Sequence, residues 1–231
     1  MRLLFTTYLA IIIGIFNANA QSCASSYIQR IRGSHNSAAI LATAQQAEKY
    51  LYTPGGEGYD EGLFIQVLEA VVESPMLSEV DKIRPRSLLD MALKNRPGDK
   101  AADIVYVTPD DSIHSLSNRT ATYAILFFND PDCDDCAIVK KQIAQNELLR
   151  SLVADGSLEI IGIYPFGDED MWRTNQLPSI ITNGFDRDMA IETDETYCIR
   201  QIPTLYLLKG MTVMLKDTTL PEILAKLKKV E

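Results

Sequence analysis

Cys133 and Cys136 stand two residues apart in "NDPDCDDC" (129–136), a stretch that also carries four aspartates. One turn of helix brings two thiols at this spacing within bonding reach, which suits reversible disulfide exchange. Such a pair is equally half of a zinc site, and the acidic setting is equally that of a solvated loop. Asp132, Asp134 and Asp135 are unusual company for a reactive cysteine, whose reactive form is itself an anion. A zinc centre needs four ligands, and the two histidines, His35 and His114, lie far off in the sequence. A calcium loop over "DPDCDD" fails as well, because Asp135 holds the glycine position and Lys141 that of the bidentate glutamate. No metal site is expected. The choice between exchange chemistry, a static bond and a bare acidic loop passes to the elements around the pair.

After Gly98 the chain is built of short apolar runs. "ADIVYV" (102–107), "ATYAILFF" (121–128) and "LEIIGIYP" (158–165) read as buried strands. Between the last two, "CAIVKKQIAQNELLRSLVADG" carries Ile138, Ile143, Leu148, Leu149 and Leu152 at mostly helical spacing. It reads as one crossover helix joining parallel strands. Cys133 thus falls just past a strand, where that helix opens. The free backbone N–H groups and the helix dipole at such a position favour a thiolate. "TLYLLKGMTVML" (204–215) reads as a hairpin about Lys209-Gly210. "TTLPEILAKLKKVE" reads as a closing helix with Pro221 in its first turn. Pro203, directly before an apolar strand, is a candidate for a cis peptide bond.

The preceding part of the chain is helical in pattern. "NSAAILATAQQAEKYLY" (36–52) sets Ile40, Leu41, Ala44, Ala47 and Leu51 near helical spacing. Pro54 and the glycines of "TPGGEGYDEG" break it, and Asp60 can cap a second helix carrying Phe64, Leu68, Val71 and Val72. Ser78 and Asp81 look like a capping box for a third helix, which Pro85 should kink or delay. Nothing in 21–97 suggests chemistry, so a small all-helical domain is expected there, ahead of a second domain over 98–231.

A strand, then Cys-x-x-Cys opening a helix, then "YCIRQIPTLYLLKG" (197–210) before a hairpin, resembles the thioredoxin superfamily over about residues 98–231. "NRPGDKAADIVYV" is similar to the lead-in of its TlpA/ResA-type branch, exported reductants with an extra strand ahead of the core. The helical segment looks like a domain-of-unknown-function family found in front of such domains. The resemblance implies an α/β, thioredoxin-like fold, a central mixed sheet flanked by helices. It implies that Cys133 attacks the substrate disulfide and Cys136 resolves the mixed disulfide. It further implies that Pro203 is the cis-proline beside the disulfide, with the Ile202 backbone pairing with an extended substrate segment.

The departures from that pattern are specific. Asp132 stands where thioredoxins have a tryptophan, and Phe127 where many have a buried proton-handling aspartate. Asp134 and Asp135 replace Gly-Pro between the cysteines, and Cys198 replaces a glycine. The three aspartates are expected at the surface, where they tune the thiolate, and Cys198 as a thiol outside the pair. Trp172 is expected to be packing, and the acids of "GDED" and "DRD" (167–170, 186–188) to be solvated.

Arg2, an apolar run and Ala18-Asn19-Ala20 have the layout of a secretory signal peptide over 1–20, so export, most simply to a periplasm, is expected. Cys23 offers a lipid-anchored alternative and the only route to a membrane. At a net charge of −9, with no basic run, the chain is a poor partner for nucleic acid or anionic lipid. No nucleotide or flavin motif is present, so no cofactor is expected. Electrons would come from an upstream thiol protein and pass to protein disulfides. The competing expectation is a non-catalytic binding module that keeps a static or degenerate disulfide.

Overall fold

Apolar spacing builds the first of two units, which divide in sequence between Leu93 and Lys94. The computed structural model describes residues 24–229; the expectations for the signal segment 1–20 and for Cys23 lie outside the described residues. The first unit comprises α1 (24–32), α2 (Ser37–Leu51), α3 (Glu61–Glu73) and α4 (Ile83–Ala92). Asn36 caps α2 by accepting from the Ala39 N–H, and Asp60 caps α3 by accepting from the Leu63 N–H at 2.9 Å. Ile31, Ile40, Leu51, Phe64, Leu68 and Val71 form the core, with Tyr52 stacked on Phe64 at 4.5 Å. The box at Ser78 and Asp81 does form, with Ser78 N–H on Asp81 Oδ2 at 3.1 Å and Asp81 N–H on Ser78 Oγ at 3.2 Å. It closes a turn and not a helix: α4 starts at Ile83, so that Pro85 sits in the first turn, where a missing N–H costs nothing.

The second unit begins at Lys94, ahead of the boundary drawn at Gly98 from composition. Asn95 explains the difference. Its side chain accepts from the Ala102 N–H at 2.8 Å and donates to the Thr196 carbonyl at 2.8 Å, binding this lead-in to the unit it precedes. The strands are β1 (Val105–Val107), β2 (Ile113–Ser115), β3 (Tyr123–Phe128), β4 (Leu158–Tyr164), β5 (Thr182–Phe185), β6 (Thr204–Lys209) and β7 (Thr212–Thr218). They form one sheet in the order β2-β1-β5-β4-β3-β6-β7. β3, β4 and β5 are parallel, whereas β1, β2, β6 and β7 pair antiparallel. The sheet is mixed and flanked by helices, as expected.

The crossover from β3 to β4 is two helices, not the single one read from the spacing: α5 (Asp134–Gln145) and α6 (Glu147–Ala154). Asn146 makes the break. Its backbone is extended and its side chain caps α6 by accepting from Leu149 N–H at 3.1 Å, the competition with helix that asparagine is prone to. Three short elements follow: α7 (Glu169–Thr174), α8 (Ala190–Thr193) and the closing α9 (Leu220–Leu227). Alternate residues of β3 serve opposite faces. Ile125 and Phe127 pack with Cys136, Ile143 and Leu149 of the helices, while Leu126 and Phe128 pack with Tyr197 and Tyr206 on the other side. Trp172 is fully buried, stacked on Phe185 at 5.0 Å, with its indole N–H on Asn183.

The acids of 167–170 and 186–188 are not all solvated, contrary to the expectation. Asp186 is 1% exposed and accepts from the N–H groups of Ala190 (3.0 Å) and Ile191 (2.8 Å); burial pushes its carboxyl above the usual range. Asp168 caps α7 by accepting from Met171 N–H.

Candidate functional site

β3 ends at Phe128, and the chain crosses the end of the sheet through Asn129, Asp130, Pro131 and Asp132 before α5 begins. Asp130 tightens this passage by accepting from Asp132 N–H at 2.8 Å. Cys133 is itself the N-cap of α5: its backbone is extended, and its sulfur accepts from Cys136 N–H at 3.0 Å. That N–H is one of the free donors of a helix start, placed where it stabilises a Cys133 thiolate. Cys133 and Cys136 are joined by a disulfide, with Cα atoms 5.1 Å apart. Cys136 is fully buried among Ile125, Phe127 and Ile143, whereas Cys133 is partly exposed.

The second strand of the site is the entry to β6. The Ile202–Pro203 peptide is cis, and the Ile202 carbonyl oxygen lies 3.8 Å from Cys133 Sγ. In the disulfide form that sulfur has no proton to give; once reduced, the thiol faces this oxygen. Two ties hold the 197–203 segment. Arg200 pairs with Asp217 of β7 at 2.6 Å, with both side chains largely out of solvent, and Tyr197 O–H donates to the Ala102 carbonyl at 2.7 Å. A groove runs on from Pro203 between Ile138, Val139 and Leu220, with Asp135 at its rim. Asp132, Asp134 and Asp135, which flank Cys133 in sequence, are exposed.

Beneath the pair the sheet offers no acid–base group. Phe127 is fully buried and lies in register with Gly162 of β4, where an added Cβ would fall 2.7 Å from Leu177 and 3.1 Å from Ile181. The polar groups near the site form a chain off to one side. Lys140 Nζ donates to Asn175 Oδ1 at 2.7 Å, and Asn175 Nδ2 donates to Asn129 Oδ1 at 3.0 Å. Asn129 Nδ2 ends the chain on the Phe127 and Ile163 carbonyls at 3.1 and 3.3 Å. Lys140, Asn129, Asn175, Arg200 and Asp217 were not legible as site residues. A lysine one helical turn after Cys136, in an otherwise apolar stripe, was the one available signal. Cys198 is buried and takes no part in the disulfide. Among the described residues no three His, Cys, Asp or Glu side chains are placed to hold a metal ion.

A mixed sheet with a Cys-x-x-Cys disulfide at a helix N-terminus and a cis-proline facing it defines a thioredoxin-like fold. The chain belongs to the thioredoxin-like proteins: it is 33% identical to a thioredoxin-like protein from Bacteroides caccae, with a TM-score of 0.84, covering 92% of this chain and 78% of that one. A conserved protein of unknown function from Bacteroides fragilis is 36% identical over 57% of this chain and 98% of its own, with a TM-score of 0.56. The C-terminal domain of an uncharacterized protein from the same species is 34% identical over 58% and 98%, also at 0.56. Residues 3–95 match the model of a domain of unknown function, DUF5106, in line with the resemblance noted for the helical segment. No curated protein matches the chain.

The unequal burial of the two sulfurs gives a first test. In the reduced protein, Cys133 should alkylate before Cys136, because only its sulfur is reachable without opening the helix. Mass spectrometry after brief iodoacetamide treatment reads the order, and Cys136 or Cys198 reacting first would reverse the assignment.

Proposed function

We propose that the chain is an exported thiol–disulfide oxidoreductase, a reductant or isomerase of protein disulfides of the TlpA/ResA type. The observation that carries this is the Cys133–Cys136 disulfide at the start of α5, with its outer sulfur partly exposed and 3.8 Å from the Ile202 carbonyl. In the reducing direction the Cys133 thiolate attacks one sulfur of a substrate disulfide, and the other leaves as a thiolate that takes up a proton. Cys136 then loses its proton and attacks Cys133 Sγ, forming the internal disulfide and expelling the remaining substrate sulfur. Two electrons pass to the substrate, and an upstream dithiol protein restores them. Ile202 offers its backbone to an extended substrate segment, as an added strand would use it, and Pro203 floors the groove. Asp132, Asp134 and Asp135 tune the thiolate. No helix among the described residues is long and apolar enough to cross a membrane. A lipid on Cys23 is the proposed alternative means of attachment.

The test is insulin reduction by dithiothreitol with the wild type and with Cys133→Ser. The wild type should speed precipitation of the B chain, and the variant should fall to the uncatalysed rate. A wild type no faster than buffer would favour a binding module with a static disulfide.

A further inference from the structure

The inner face of α5 reads Cys136, Lys140, Ile143, positions four and then three apart that lie above one another on a helix. Cys136 and Ile143 are fully buried in the core beneath it. Lys140 stands where that stripe calls for an apolar residue, and it is not simply reaching for water. Its amine is clamped at 2.7 Å by Asn175, a 6% exposed amide that is itself fastened to the fully buried Asn129. A buried hydrogen-bonded scaffold of this kind holds a charge in one place.

Resting on the exchange reading above, we infer that Lys140 governs the resolving step. Its ammonium, fixed one turn along from Cys136, favours the Cys136 thiolate and sets the pH range in which that thiolate displaces the substrate sulfur from Cys133. In this step the Cys136 proton leaves to solvent, a Cys136–Cys133 bond forms, and the Cys133–substrate bond breaks with its electron pair on the substrate sulfur. Lys140 acts through its charge and transfers no proton in the step. Burial draws its ammonium below the ordinary value of 10.5, and Asp130 draws it back. The other groups around α5 are placed differently. Asp132, Asp134 and Asp135 are exposed at its start, Lys141 on its outer face, and Glu147 and Arg150 on α6. Arg200 is engaged with Asp217, and the sheet below presents Phe127 and Gly162, which do not titrate.

The experiment follows the reaction of the reduced full chain with 5,5′-dithiobis(2-nitrobenzoate) by stopped flow between pH 5 and 10. Cys133 releases the first thionitrobenzoate, and Cys136 releases the second as it resolves the adduct. Lys140→Gln keeps a donor for Asn175 and drops the charge; Lys140→Arg keeps both. At this helical spacing the Cβ atoms of Cys136 and Lys140 lie ~6 Å apart, and a unit charge at a distance of that order is worth roughly 0.5 to 2 pKa units across dielectrics of 80 to 20. A less stabilised thiolate is also the stronger nucleophile, which offsets about half of the loss. The second phase of Lys140→Gln should therefore run about two- to tenfold slower below the wild-type midpoint, with the midpoint moved up. Above its own midpoint the variant should equal or pass the wild type, a crossing that a merely loosened helix does not produce. Lys140→Arg should follow the wild type. A Lys140→Gln profile that superimposes on the wild type, or an arginine variant that behaves like the glutamine one, overturns the inference. A wild type that releases one equivalent and stops overturns the exchange reading, and this inference with it.

Discussion

Cys136→Ser should stop insulin reduction completely and leave the protein covalently joined to its substrates through Cys133. The first attack needs only the outer sulfur, which is partly exposed, and serine at 136 does not remove it. Resolution needs the inner sulfur, which is fully buried beneath α5 and reaches only Cys133. With serine there, the mixed disulfide has no internal attacker and persists until an external thiol arrives. Cys133→Ser should be equally inactive yet form no adduct. The measurement is non-reducing electrophoresis of both variants after exposure to an extract of oxidised proteins, with bound partners identified after reduction. Adducts on the Cys133→Ser protein in place of the Cys136→Ser protein would exchange the two roles.

Asp134→Asn with Asp135→Asn should lower the Cys133 thiol pKa by close to one unit. Each carboxylate at roughly 7 Å in a water-like dielectric disfavours the thiolate by about 0.6 kcal/mol, nearly half a unit. Their exposure argues for the water-like value. The wild-type thiol should accordingly titrate above the value of about 7 found in thioredoxin, against the pull of the Cys136 N–H and the helix dipole. A disfavoured thiolate leaves the dithiol the better reductant, so the double variant should have the higher potential. The gap depends on pH. Well below the thiol pKa both proteins are protonated and the gap closes; well above it the ~1.2 kcal/mol corresponds to about 25 mV for two electrons. Thiolate absorbance against pH and glutathione titrations at two pH values read both effects. A wild-type pKa below about 6, or an upward shift in the variant, would mean that the carboxylates do not act on the thiolate as argued. The acidic motif would then need another purpose, such as docking a basic partner.

The parts of this molecule that were legible in the sequence are those where local chemistry and tertiary demand agree. β3, β4 and β6 are apolar runs buried on both faces, β7 follows from the Lys209-Gly210 turn, and α2 and α3 have caps that the structure uses. The cysteine pair and Pro203 fall into one site because the end of β3 and the start of β6 meet at the same end of the sheet. The misses have the opposite character. β2 and β5 are short, and "TNGF" carries no strand signal of its own; it is a strand because β4 pairs with it. The break at Asn146 was hidden by apolar spacing that continues across it. Asn129 and Asn175 are polar residues whose burial depends on partners distant in the chain, and Asp186 is buried against the N–H groups of the short helix just after it; composition alone places such residues in solvent.

Phe127 packs apolar surface against the buried Cys136, while the carboxylates of Asp132, Asp134 and Asp135 stand in solvent. Charges in solvent are screened by dissolved ions, with a Debye length of about 8 Å at 0.15 M, close to the ~7 Å taken above for each carboxylate. On the tuning proposed above, the hold of the aspartates on the thiolate should be adjustable from outside, weaker in brine and stronger in dilute medium. Lys140, half-buried and held by Asn175, should feel dissolved ions less. The two sulfurs of one disulfide would then answer to different surroundings, the outer one more to ionic strength and the inner one more to the fold.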